Sequence, residues 1–173
     1  EEKIEEILRI DPSCADARYQ RVRYRLHKGR HKSAVAGLTK LINERKEYYV
    51  KALIDPELAP FCTLVDKRLQ KLFDEVKEKA DEQFPAAESE KKRLELLLGG
   101  EAAVDEEIRA LWKDAVEAVR TESYFGYLEV INTANLVINR SLMAVRDWKR
   151  KIGRRLSELS DRLAAYMRFI QHY

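Results

Sequence analysis

Residues 122–173 contain no proline and only two glycines, Gly126 and Gly153. Along them apolar residues return at intervals of three, four or seven: Ile131, Ile138, Leu142, Val145, Trp148, Ile152, Leu156, Leu159, Leu163, Tyr166 and Ile170. At 3.6 residues per turn these positions share one stripe of a helix, whereas a strand needs a period of two. The stretch therefore reads as a long helix with a coiled-coil-like seam, although spacing alone leaves open whether it is one helix or two. Two consecutive intervals of four, at Trp148, Ile152 and Leu156, are the mark of a stutter that locally unwinds a supercoil. Such a stripe needs a cover, from other helices of the chain or from a second copy in a homo-oligomer.

The rest of the chain agrees with a helical fold. Charged residues make up 36% of the 173, and glycine and proline number six and four. That is the composition of amphipathic helices, and the expected class is all-α. The 33 Lys and Arg nearly balance 30 Asp and Glu, so any pull on a nucleic acid or membrane must be local. No apolar run reaches the roughly 18 residues a membrane span requires. Cys14 and Cys62 lie far apart without CxxC spacing, which points to reduced thiols and a cytoplasmic protein rather than to a disulfide framework or a zinc site. The chain opens without Met inside a helical pattern, "EEKIEEILRI", as a piece of a longer protein would.

Asp-Pro occurs at Asp11-Pro12 and again at Asp55-Pro56. Ile4, Ile7 and Leu8 form a helical stripe that Pro12 ends, because proline lacks an N–H and disfavours a helical residue before it. Ser13 or Asp16 is placed to cap the next helix, on which Ala15, Tyr19, Val22 and Leu26 share a face up to Gly29. A further helix, over about 31–45, carries Ala34, Val35, Leu38, Leu41 and Ile42, and the short turn between the two makes them antiparallel.

With Pro12 after a helix, Gly29 in the turn, Ala34 at a helix crossing and Leu38 and Leu41 behind it, residues 1–57 resemble a tetratricopeptide repeat. An ungapped alignment with that family turns Arg18, Arg21 and Arg25 inward. Moving the helix by one residue buries Tyr19, Val22 and Leu26 instead, which avoids three unpaired arginines in a core. The resemblance implies a concave helix face that binds an extended peptide, here including Ala17, Gln20, Tyr24, His27 and Lys28.

Residues 58–173 then read as a helical bundle and coiled-coil region. After a short helix and turn at "EYYVKALIDPELAP", apolar residues at 58, 61, 65, 69, 72, 76, 80 and 84 predict a helix that Pro85 stops. A shorter helix over 87–98 ends at Gly99-Gly100, and another over about 103–120 presents Val104, Ile108, Leu111, Ala115 and Val119 with Trp112 beside them.

Residues 18–32 hold seven positive charges and no negative one. Arg18, Arg21, Arg25, Lys28 and Lys32 recur at helical spacing and, with Tyr24 and His27, form the candidate partner-binding set. Such a face can hold carboxylates or phosphates, or can equally be a solvated face paired with the neighbouring glutamates. The expected function is a protein-interaction module or scaffold that takes a protein or acidic peptide on this basic face. The alternative is nucleic acid or an anionic membrane surface, reached through 18–32 and a second basic cluster at 146–155, where Trp148 fits the apolar seam instead.

Asn132, Asn135 and Asn139 make either an exposed polar stripe or a register-setting contact. Arg168 and His172, one turn apart, faintly resemble the pair used by small helical ribonucleases. With no nucleophile set, phosphate loop or ligand cluster at a recognisable spacing, no active site, metal or cofactor is expected.

Overall fold

The computed structural model describes residues 2–100 and 103–171, and among these it is all-α, with seven α-helices, one 3₁₀ helix and no strand. It divides into two compact units, Glu1–Glu75 and Val76–Tyr173.

The first unit holds α1 (Glu2–Ile10), α2 (Ala15–His27), α3 (His31–Glu44), α4 (Glu47–Ile54), a 3₁₀ helix at Pro56–Phe61 and the opening turns of α5 (Cys62–Leu98). Tyr19, Val22 and Leu26 are buried on α2 against Ala34, Leu38, Leu41 and Ile42 on α3, so the register that turns the arginines outward is the one adopted. Gly29 closes the hairpin at φ +69°, a left-handed conformation that a side chain would resist.

Neither Ser13 nor Asp16 caps α2: Cys14 holds that position without a side-chain bond. Asp11 instead accepts from the Ser13 N–H and hydroxyl at 2.9 and 2.6 Å, satisfying the turn rather than the helix end. Leu58 is buried on the 3₁₀ helix, not on a longer helix, because Pro56 and Pro60 cannot donate and Asp55 accepts from the Glu57 N–H at 2.9 Å. The unit extends past residue 57, since Val65, Leu69 and Leu72 are buried as well.

In the second unit α5 continues through Pro85 to Leu98, where a stop at Pro85 was expected. Pro85 itself is exposed, while Ala80, Ala87 and Leu94 on the other side of the helix are buried. Burying that side offsets the roughly 3 kcal/mol that an interior proline costs. The Gly99-Gly100 stop is where the spacing placed it.

Two further helices, α6 (Glu106–Arg120) and α7 (Tyr124–Gln171), complete this unit, and Asp105 caps α6 by accepting from the Glu107 N–H at 2.8 Å. Phe84 stacks on Trp112 with ring centroids 4.9 Å apart. Lys91 is buried beside them, ion-paired with Glu95 and 5.8 Å from the Trp112 ring.

The last stretch is one helix of 48 residues. Its buried stripe is Tyr127, Val130, Ala134, Val137, Ser141 and Val145, with Ile131 and Ile138 only half-buried and Leu142 exposed. Small side chains at 134 and 141 suit close helix packing, whereas a reading weighted to large apolar residues set the seam one position away. At the α6–α7 turn a Cβ on Gly126 would meet the Thr121 hydroxyl and lie 2.9 Å from the Ala118 carbonyl oxygen. Only glycine fits there. The three asparagines form an exposed stripe.

Candidate functional site

The hairpin runs antiparallel about Gly29, so residues equally distant from that glycine before and after it come side by side. Arg18 is thereby set beside Lys40, and Arg21 beside Gly37. On this flank Arg18, Arg21 and Arg25 of α2, with Gly37, Lys40 and Glu44 of α3, line a groove of about 360 Å³. Pro12 and Ser13 of the α1–α2 turn close one end. At Gly37 a Cβ would stand in ordinary van der Waals contact with Val22, at 3.4 Å, so the two helices lie close along this flank.

The charges of the groove are unevenly matched. Arg18 is mostly buried and ion-paired with Glu44; that hydrogen bond holds the Glu44 carboxyl below its usual range and raises Arg18. Arg21 lies 3.5 Å from Glu5 of α1, the neighbouring-glutamate pairing foreseen for this face. Lys40 adds to the field that lowers Glu44. Arg25 has no acidic partner among the described residues. Four cations therefore line a groove with one carboxylate, and that carboxylate is already engaged.

A separate polar lock ties α2 to α4 and to the start of the 3₁₀ helix. Tyr48 donates to Asp16 at 2.8 Å, and Lys51 reaches the same carboxylate at 2.8 Å while lying over the Tyr19 and Tyr48 rings. Tyr19 donates to Asp55 at 2.8 Å, and Arg23 pairs with Asp55 and Glu57. The hydrogen bonds from Lys51 and Tyr48 hold the Asp16 carboxyl below its ordinary range. Burial, then the bond to Asp16, pushes the Tyr48 phenol up to about 12. Tyr19 is raised by the same two causes, with Asp55 as the acceptor. This side of α2 is occupied and structural.

The seven residues singled out by sequence do not share one surface. Arg18, Arg21 and Arg25 meet in the groove. Tyr24 is half-buried with the Lys28 ammonium 5.6 Å from its ring, and His27 stands edge-on to Phe61 at 5.1 Å between centroids. Lys32 lines a different groove, of about 730 Å³, with Val35, Thr39, Leu64 and Arg68. Of the expected concave face, Ala17 is buried, while Gln20, His27 and Lys28 are exposed.

Lys40, Gly37 and Glu44 were not singled out by sequence, although the symmetry of the hairpin about Gly29 and their own three-and-four spacing on α3 would have found them. The second basic cluster lies on α7, where Arg150 pairs with Asp147 at 3.3 Å and Trp148 is half-buried. His172 falls outside the described residues. No helix among the described residues is long and apolar enough to cross a membrane. Set against known proteins, the chain matches no family model, no curated protein and no solved structure.

Proposed function

We propose that the chain is a protein-interaction module whose first unit, a tetratricopeptide-like hairpin, holds an acidic peptide segment of a partner in the groove between α2 and α3. The observation that carries this reading is the excess of cations there: Arg21, Arg25 and Lys40 beside a Glu44 already taken by Arg18. An arginine without an acidic partner on a groove wall can donate two parallel bonds to a carboxylate. The groove's size favours a peptide over duplex nucleic acid, which is held by many phosphates along a longer track, and Glu5 and Glu44 would repel such a backbone.

The test is fluorescence anisotropy of a labelled Asp/Glu-rich peptide against the chain, with duplex DNA, RNA and anionic vesicles alongside. Arg21→Glu with Arg25→Glu should weaken the peptide by about a hundredfold, because a hydrogen bond to a charged group is worth about 1.5 to 3 kcal/mol. Helicity should stay as it was. Undiminished binding in the double variant, or binding confined to nucleic acid or vesicles, would refute the reading.

A further inference from the structure

The surroundings of α7 change along its length. Up to Val145 its stripe is buried, and at residues 149–170 every residue is exposed. The apolar ones there include Ile152 at 38% exposure, Leu156 at 61%, Leu159 at 60%, Leu163 at 65%, Tyr166 at 69% and Ile170 at 68%. Their spacing of four, three, four, three, four is a heptad seam, with Leu156, Leu163 and Ile170 at a and Ile152, Leu159 and Tyr166 at d. From Ile152 to Leu163 the stripe has the width of a coiled-coil contact, not of the broad apolar face with which a helix lies in a membrane surface, and Met167 and Phe169 widen it only over the last two turns. It also continues the stripe that is covered upstream, within a unit built of packed helices. Both points make the missing cover a helix.

Charge then selects which kind of helix. Flanking the seam, Arg155, Arg162 and Phe169 occupy g positions, while Gly153, Ser160 and Met167 occupy e, with no acid at either. Between residues 146 and 168 there are eight Lys and Arg against three Asp and Glu. A second copy laid antiparallel would set Arg155 near the other copy's Arg162. Laid parallel, it would gain no ion pair and would bring two such basic segments together. A helix with carboxylates beside its seam would gain a pair at each arginine.

We infer that residues 152–170 of α7 form a coiled coil with a partner helix whose apolar heptad seam is flanked by Glu or Asp, a surface independent of the groove in the first unit. The probes are two designed four-heptad peptides with Leu at a and d and either Glu or Lys at e and g, each kept from pairing with itself by like charge. The Glu peptide should bind the chain at least about tenfold more tightly than the Lys peptide, a difference of 1.4 kcal/mol. Added salt should narrow the gap. Arg155→Glu with Arg162→Glu should reverse the preference, and Leu159→Asp should abolish binding of the Glu peptide with circular dichroism unchanged. Equal affinity for the two peptides would overturn the proposal. So would a dimer of the chain, seen by sedimentation, that excess Glu peptide fails to dissociate, or seam-dependent binding to phosphatidylserine vesicles that the Glu peptide fails to displace.

Discussion

The two halves of α7 carry the same kind of pattern and meet different fates. In the first half Val130, Ala134 and Val137 are fully buried; in the second, Leu156, Leu159 and Leu163 are more exposed than not. Hydrophobic spacing reports that a helix has a face needing cover, and it does not report whether the chain itself supplies the cover. The side chains differ accordingly. The covered stripe includes Ala134 and Ser141, which suit close packing within one unit, whereas the open stripe uses Leu, Ile and Tyr at a and d, the knobs of a coiled coil.

Paired substitutions can break that comparison. The largest contrast is expected between Val137→Asp and Leu159→Asp. The first buries an unpaired charge and should cost several kcal/mol, enough to unfold the second unit, while the second should stay within about 0.5 kcal/mol of the parent. Urea denaturation followed by circular dichroism separates them, and equal losses would mean that the second half of α7 is covered after all.

A smaller contrast tests packing rather than charge. Ala134→Leu overfills a site with no exposure and should cost about 1 to 3 kcal/mol, whereas Ala165→Leu on the exposed half should leave the urea midpoint where it was.

The smallest effect contrasts both halves of α7 with the first unit, whose groove and polar lock both titrate. Asp16 and Glu44 have lowered pKa values in the fold, so the stability they contribute is present above their unfolded values of 3.8 and 4.5 and is lost as pH falls through the folded ones. Tyr48 is raised from 10.0 to about 12, so its contribution is complete below pH 10 and is lost as pH rises towards 12. Thermal melts across pH should show Tyr48→Phe removing part of the alkaline loss and, because the bond from Tyr48 helps hold Asp16 low, lessening the acid loss as well.

Where local chemistry settles the outcome, the sequence could be read directly. The cost of burying three arginines chose the register of Tyr19, Val22 and Leu26, and Gly29 and Gly99-Gly100 marked a turn and a stop that the fold keeps. Where tertiary contact overrides a local preference, the reading erred. Pro85 sits inside a helix because Ala87 and Leu94 beyond it are buried, and the seam of α7 lies one position over because small residues pack closely there. The groove was half visible: its three arginines stood out as a charge run, while Gly37, Lys40 and Glu44 became part of it only once the hairpin folded back on itself.

If the first unit takes an acidic segment between α2 and α3 as proposed, an amide ¹H–¹⁵N titration of the chain with an Asp/Glu-rich peptide will register it residue by residue. Saturable shifts at Ser13, Arg18, Arg21, Arg25, Gly37 and Lys40, absent in the Arg21→Glu, Arg25→Glu variant, are the predicted result. Shifts centred instead on Lys28 and Lys32, or on residues 146–155 of α7, would contradict it.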